Sequence, residues 1–173
     1  MSAPQKAAVS AHEPDWSREH KAVFEWNPSR ALIASIRSYQ RWTGRNPVHV
    51  ILRCWAVLRY RFWSIVTGAD IPLCVQIDGG LMMPHPNGVV VHPRVRIGPN
   101  CVIFQQVTLG SNGRGCPTIG GHVDIGAGAK VLGPISIGND VLIGANAVVV
   151  NDVPNNSTVA GIPARVIMQG SQE

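Results

Sequence analysis

One histidine, His85, interrupts an apolar stretch that reads MMPHPNGVVV over residues 82–91. Pro84 and Pro86 flank the histidine, and a turn-type Asn87-Gly88 pair follows. An apolar strand does not need an imidazole, whereas enzymes use this side chain as a base at neutral pH. A histidine of this kind is on its own more often structural than catalytic, so its function depends on the elements that hold it.

The cysteines do not form a recognisable site. Cys54, Cys74, Cys101 and Cys116 make no C-x-x-C pair, and their spacing does not suggest a disulfide scaffold. We therefore expect free thiols in a reducing compartment. The N-terminal residues lack the apolar stretch of a signal peptide, so a cytoplasmic location is expected.

Composition predicts one domain that contacts other molecules. The 173 residues are 45% hydrophobic but only 14% charged, which leaves little polar cover for a monomer and suggests burial against other copies. The net charge is +5, and much of the basic excess lies before residue 66. It would steer anionic ligands, or contact an acidic membrane surface or a phosphorylated substrate. No arginine-rich run with interleaved aromatics argues for nucleic acid.

The first part of the chain predicts two helices after a flexible or loosely docked segment, residues 1–26. Asn27 with Pro28, and Asn46 with Pro47, are typical helix starts, so residues 27–68 form the helical region. Gly44 and Gly68 are the corresponding stop signals. The second helix is apolar but carries three arginines, which makes a membrane span improbable. It either packs in a protein core, which the pattern favours, or lies on a membrane as a basic amphipathic helix.

A six-residue period begins after about residue 69. Aliphatic residues recur every six positions, with one insertion, GSNGRGCPT, after Leu109. The residue two positions earlier is usually small or apolar, and glycine commonly follows the aliphatic residue, which predicts corners at positive φ. The aliphatic positions are Ile97, Ile103, Leu109, Ile119, Ile125, Val131, Ile137, Ile143 and Val149.

This period fits neither a helix nor a hairpin meander. It predicts a coil of short parallel strands, with three hexads per turn and every sixth side chain pointing inward. A β-sandwich would not keep a fixed phase for so long. Met83 and Val91 are eight residues apart rather than six, so we expect His85 to lie on a local irregularity that lifts its ring out of the core.

Four segments of this region resemble the hexapeptide-repeat acyltransferases, and among them the serine O-acetyltransferases. They read PHPNGVVVHPRVRIGPNCVIFQQVTLG, IGGHVDIGAGAKVLGPISIG, IGANAVVVNDVP and VAGIPARVI. The resemblance implies a mainly β fold, with a left-handed parallel β-helix over residues 69–167 and a tail over residues 168–173. It also implies acetyl-CoA as the donor, a homotrimer, and active sites between neighbouring subunits.

The resemblance also implies how an acetyl group would move to a hydroxyl. His85 matches the family's catalytic base, and Asp70, fifteen residues earlier, matches the aspartate that orients the imidazole. Backbone N–H groups near the Gly110 turn would receive the negative charge of the thioester oxygen. No metal is expected in this reaction.

For the CoA arm, the resemblance points to the groove between two coils. Ala127 and Ala145 match positions where the family holds the pantetheine through backbone groups, and small residues allow that close approach. Arg165 would meet the CoA phosphates. Lys130 is a second candidate for these phosphates, although a plain solvated charge explains it equally well.

The acceptor site departs from the serine acetyltransferase pattern. Pro84 replaces an aspartate that faces the serine ammonium, and Gly115-Cys116 replaces an Arg-His pair that holds its carboxylate. Arg114, one position away, is a partial substitute. The helical region is also about half the family's length, so a single trimer is expected. These departures favour a sugar hydroxyl in surface polysaccharide synthesis, at the inner face of the membrane. Serine, the substrate of cysteine biosynthesis, is the alternative.

Two other classes remain as alternatives. Some β-helix enzymes bind zinc with three histidines across a subunit interface, and His85, His92 and His122 are available. Their spacing does not match that group, and His92 and His122 are expected to be structural or solvent-facing. A non-catalytic scaffold is disfavoured because both His85 and Asp70 are present.

Overall fold

The computed structural model describes residues 9–22 and 25–170, which form a short helical region followed by a β coil. A 3₁₀ helix at Trp16–Glu19 precedes α1 (Pro28–Arg41) and α2 (Pro47–Thr67). The strands are Gln76–Ile77 (β1), Val90–Val91 (β2), Arg96–Ile97 (β3), Val102–Ile103 (β4), Thr108–Gly110 (β5), Thr118–Ile119 (β6), Asp124–Ile125 (β7), Lys130–Leu132 (β8), Ser136–Ile137 (β9), Leu142–Ile143 (β10), Val148–Val149 (β11), Ser157–Gly161 (β12) and Ala164–Gln169 (β13).

Both helices start at the predicted asparagines. The Arg30 N–H donates to the Asn27 side chain at 3.2 Å, and the His49 N–H donates to the Asn46 side chain at 2.7 Å. Gly68 ends α2 in the left-handed conformation, as expected. Gly44 does not cap α1, which ends three residues earlier.

The predicted parallel β-helix, preceded by two helices, is confirmed. The strands form three sheets along the coil, and every pairing is parallel except β12 with β13. Side chains from successive turns stack in buried columns, each at most 7% exposed. The columns are Ile77, Ile97, Ile119 and Ile137; Ile103, Ile125, Ile143 and Val159; and Val91, Leu109, Val131 and Val149.

The register of the strands locates two irregular turns of the coil. Lys130 pairs with Val148, eighteen residues later, as three hexads require. Asp70 pairs with Val90, twenty residues later, and Thr108 pairs with Lys130, twenty-two residues later. The two extra residues fall in the loop that carries His85, and the four extra residues fall in the loop over residues 111–117. The predicted irregularity around His85 is therefore present.

The glycines after the aliphatic residues serve a different purpose from the one predicted. Gly98, Gly120 and Gly138 do not adopt positive φ; instead, a methyl group on each would approach the next turn of the coil within 2.6 Å or less. Close packing between turns therefore excludes larger residues there. One corner with positive φ is formed mostly by asparagine and aspartate, at Asn100, His122, Asp140 and Asn156.

The described part of the N-terminal segment, residues 9–22, is tied to the coil. The buried Asn100 side chain donates to the carbonyls of Ser10 and Glu13, each at 2.7 Å, and accepts the Asp15 N–H at 2.8 Å. Glu19 accepts from the backbone N–H of Gly80 at 2.8 Å. Residues 1–8 and 23–24 of the segment expected to be flexible lie outside the described residues.

At the other end, β13 runs to Gln169, so the first two residues of the expected tail belong to a strand. β13 folds back antiparallel on β12 and extends the sheet that contains β4, β7 and β10. Residues 171–173 of that tail lie outside the described residues.

Only one side of α2 packs as a core helix would. Ala56 and Thr67 are its buried residues, and the helix contacts α1 along that side. Large apolar side chains on the remainder are exposed, so the interpretation of α2 as a core helix is wrong for the single chain. Within the described residues, the helices are too short or too polar to cross a membrane.

Candidate active site

The loop that carries His85 is held against the segment that carries Asp70. The Gly88 N–H donates to the Gly68 carbonyl at 3.0 Å, and the Asp70 N–H donates to the Val89 carbonyl at 2.8 Å. The Val91 N–H then donates to the Asp70 carbonyl at 2.9 Å. These bonds place the predicted base and its predicted partner on neighbouring turns, and both side chains are exposed.

The loop itself is closely packed. Gly88 adopts a φ of 69°, and a methyl group at this position would lie 2.7 Å from the Gln106 side chain. The Gln106 amide donates to the Asn87 side chain at 3.2 Å. Gln106 was not identified from the sequence, because its contact with the loop comes from the stacking of one turn on the next.

Asp70 follows directly on the end of α2 and carries an exposed carboxylate. Partial burial, followed by the negative charge of Asp70, raises the pKa of Tyr60 on α2. Within the described residues, the Asp70 carboxylate makes no hydrogen bond or ion pair with His85. Contacts between catalytic groups are often longer before substrate binds and shorten in the complex.

A small cleft of about 130 Å³ lies beside Pro84 and is lined in part by Arg18, Asn27 and Arg30. Arg18 donates to the Asn100 carbonyl at 2.6 Å, and Arg30 donates to the His20 carbonyl at 2.7 Å. No motif in the sequence connects these arginines with Pro84. Arg18 reaches it because the N-terminal segment docks on the coil, and Arg30 reaches it from α1, whose buried side chains share the core of the coil.

The inserted loop places Cys116 against His92. The Cys116 Sγ lies 3.0 Å from Nδ1 of His92, and the same nitrogen accepts the Arg94 N–H at 3.2 Å. Because Nδ1 accepts this N–H, it is unprotonated, and the thiol donates to it. His92 is therefore a structural partner of Cys116, a contact that the sequence did not indicate.

The other loop residues proposed for the acceptor and the oxyanion precede Cys116 in the chain. Arg114 is exposed, and its N–H donates to the Asn112 side chain at 3.0 Å. Gly115 is close to Pro134, which a methyl group at this position would approach within 2.7 Å. Gly110 ends β5, at the point where the loop leaves the coil.

The two alanines predicted to hold the CoA arm lie on consecutive turns of one corner. Ala127 follows β7 and Ala145 follows β10, and these strands are paired. The Asn146 N–H donates to the Ala127 carbonyl at 2.8 Å, which leaves that oxygen with one acceptor position. Ala145 is exposed.

The two cations predicted for the CoA phosphates differ in how firmly hydrogen bonds hold their side chains. The Lys130 ammonium donates to the carbonyls of Gln106 at 2.6 Å and Gly128 at 3.1 Å, so it is held at a corner. Arg165 lies on β13 with an exposed side chain, which among the described residues donates only to the adjacent Ala164 carbonyl, at 3.0 Å. Arg165 is therefore the cation better placed to reach a phosphate.

The three histidines considered for zinc do not meet within the chain. His122 Nδ1 lies 2.8 Å from Asp140 Oδ1, and His92 contacts Cys116. In the part of the chain that the structure describes, no three His, Cys, Asp or Glu side chains are grouped as metal ligands.

Comparison with known proteins identifies the family. A serine acetyltransferase of Staphylococcus xylosus is 50% identical over 162 residues, which cover 85% of this chain and 74% of the relative. That of Mycobacterium tuberculosis (strain ATCC 25618 / H37Rv) is 46% identical over 132 residues, which cover 74% of this chain and 56% of the relative. No family model matches the sequence.

Solved structures agree with this result. A serine acetyltransferase in complex with CoA is 34% identical, with a TM-score of 0.68, over 82% of this chain and 57% of its own. A second, in complex with cysteine, has a TM-score of 0.72 at 34% identity, over 84% of this chain and 56% of its own.

Fold, loop and similarity together define a hexapeptide-repeat acyltransferase. The chain belongs to the serine acetyltransferase family. It spans about half of the length of several curated relatives that it matches, between 44% and 62% for three of them. The predicted polysaccharide-specific subgroup has no support among these relatives, which are serine acetyltransferases.

Proposed function

We propose that the protein is an acetyl-CoA-dependent O-acetyltransferase whose acceptor is L-serine. The observation that carries this proposal is the backbone pairing of the His85 loop with the Asp70 segment, in a chain of this family. It brings a base and a carboxylate to the surface of the coil, where a substrate can reach both.

In the proposed reaction, His85 removes the proton of the acceptor hydroxyl as its oxygen attacks the thioester carbon. Negative charge develops on the thioester oxygen, and backbone N–H groups near Gly110 stabilise it. The intermediate then expels the CoA thiolate. The His85 imidazolium donates its proton to this thiolate, which leaves as CoA. Asp70 stabilises that imidazolium once substrate has drawn the two side chains together.

A homotrimer is part of the proposal, with each active site between two subunits and the CoA arm along the groove between their coils. Ala127 and Ala145 would line the groove, and Arg165, with Lys130 as a weaker candidate, would meet the phosphates. Exposed apolar side chains on the coil itself, among them Val90, Leu142 and Val150, support assembly. Four free cysteines suit a reducing compartment, and a cytoplasmic location is proposed with them.

Serine is preferred as acceptor because the similar proteins are serine acetyltransferases. A sugar hydroxyl is the second candidate, and Pro84 with Cys116 favours it. Neither side chain carries a charge to pair with a zwitterionic amino acid, and an unpaired buried charge costs several kcal/mol. Arg18 and Arg30, beside Pro84, and Arg114 are the cations available for a carboxylate.

The decisive experiment measures CoA release with L-serine and, separately, with a panel of sugars and nucleotide sugars. We expect turnover of serine at ordinary enzyme rates, on the order of 1 s⁻¹ or above. If a sugar is acetylated and serine is not, the acceptor is a sugar rather than serine. The proposed acetyltransferase activity would still hold.

The catalytic assignment has its own test. His85→Ala should lower kcat at least about a hundredfold while the protein keeps its circular dichroism spectrum. His122→Asn is the matched control, because it removes a half-buried histidine at a position where asparagine tolerates the positive φ of 53°. Retention of most activity by His85→Ala would remove His85 from the base role.

A further inference from the structure

One face of α2 exposes a continuous apolar strip. We call it the α2 apolar face and define it by Val48, Ile51, Trp55, Leu58, Phe62 and Ile65. Their exposed fractions run from 55% at Phe62 to 83% at Ile65. These residues recur at intervals of three and four, so they share one side of the helix. The opposite side carries Ala56 and Thr67, which are buried.

The charges around this strip are all positive. α2 contains three arginines and no aspartate or glutamate. At 100° per residue, Arg59 and Arg61 fall on opposite borders of the α2 apolar face, and Arg61 is exposed while Arg59 is half-buried. Arg53 is different, because it lies over the Tyr39 ring at 4.4 Å on the side toward α1.

The positive charges beside the α2 apolar face indicate which partner could cover it, a second copy of the chain or a membrane. A second copy of α2 would bring arginines of like sign against each other, which disfavours self-association through this face. A bilayer with anionic headgroups pairs with the arginines at the borders and buries the strip between them. Trp55 and Phe62 are aromatic residues of the kind that membrane interfaces accept. Since the described helices do not qualify as membrane spans, α2 would lie along the surface.

We propose that the α2 apolar face docks this protein on an anionic membrane surface. The helix ends at Thr67, and Gly68 joins it directly to the segment of Asp70. Docking would therefore hold the loop of His85 close to the bilayer. The proposal concerns binding alone and does not depend on the identity of the acceptor.

The test is sedimentation of the full chain with phosphatidylcholine vesicles, with and without phosphatidylglycerol. We expect binding to the anionic vesicles and little binding to the neutral ones. Arg59→Gln combined with Arg61→Gln should weaken binding about thirtyfold, from the usual contribution of a basic residue near a charged bilayer. Ile51→Ser with Leu58→Ser should weaken it by at least as much.

Ile167→Ser with Met168→Ser is the control, since it removes two exposed apolar side chains from β13 instead. This control should bind anionic vesicles like the unchanged protein, and circular dichroism verifies that each variant is folded. Equal sedimentation of all variants, or no binding of the unchanged protein, would refute membrane docking. A lower oligomer mass of the Ile51→Ser, Leu58→Ser variant without vesicle binding would assign the face to a contact between copies.

Discussion

At the scale of single residues, the site depends on how Asp70 acts on His85. The backbone bonds fix the two segments together, whereas the two side chains stay free of each other in the single chain. A carboxylate that orients an imidazole and stabilises its charged form contributes mainly in the transition state.

We predict that Asp70→Asn lowers kcat about a hundredfold or more, with little change in KM. The amide cannot stabilise the imidazolium, so the loss should fall on kcat. The measurement is a series of initial rates over the concentrations of serine and acetyl-CoA. Asp140→Asn, which changes an exposed aspartate beside a histidine, is the control and should leave both quantities unchanged. A wild-type rate for Asp70→Asn would exclude an orienting role.

A second prediction at this scale concerns the thiols. Burial raises the pKa of Cys101 to about 12, so its thiol stays protonated at pH 8 and should resist alkylation. Cys54 and Cys74 are exposed and should be modified first. Mass spectrometry after brief iodoacetamide treatment measures this order, and rapid labelling of Cys101 would contradict its burial.

The same shift has a consequence for stability. The unfolded thiol ionises near its ordinary value of 9.0, and the folded one does not until about 12. The contribution of Cys101 is therefore complete below pH 9 and is lost as pH rises toward 12.

How far the sequence predicts the site is clearest at single positions. The PHPNG loop, with Asp70 fifteen residues earlier, was identifiable because both belong to one local motif. Gln106, Arg18 and Arg30 were not, because their proximity to that motif arises from docking of distant segments.

At the scale of elements, the N-terminal segment and the coil are joined through one asparagine. Asn100 is fully buried, adopts a φ of 60°, and bonds to Ser10, Glu13 and Asp15. Asparagine suits this position because it tolerates the left-handed conformation and offers both a donor and an acceptor.

We predict that Asn100→Ala lowers the free energy of unfolding by about 2–4 kcal/mol and loosens residues 9–22. The expected result is faster proteolysis within this segment, while the coil stays resistant. Asn156→Ala removes an exposed asparagine with a similar backbone at the same corner, and it controls for the strain of positive φ. Equal proteolysis of both variants would show that Asn100 does not anchor the segment.

The sequence predicts the coil and its buried columns better than it predicts why particular residues occupy the corners of the coil. The hexad period gave the coil and its buried columns, because stacking of equivalent side chains leaves a regular trace in the sequence. The steric reason why glycine follows the aliphatic residues could not be predicted from the hexad period. Gly98 and Gly120 avoid a collision with the backbone of the next turn, and only the distance between turns reveals this.

At the scale of the whole molecule, the proposed active site draws its residues from two subunits. In one chain, His85 and Ala145 lie on different turns of the coil. If neighbouring coils of a homotrimer complete it, one subunit supplies His85 and the next supplies the corner of Ala127 and Ala145.

Mixing two inactive variants tests this arrangement. His85→Ala removes the base, and Ala145→Trp blocks the corner, so each should be inactive alone. When the two are unfolded together in equal amounts and refolded, random assembly joins an intact His85 to an intact corner in about a quarter of sites. We therefore expect about a quarter of the unchanged activity from a species with the mass of a trimer. Sites contained within single chains would yield none, because every chain then carries a defect.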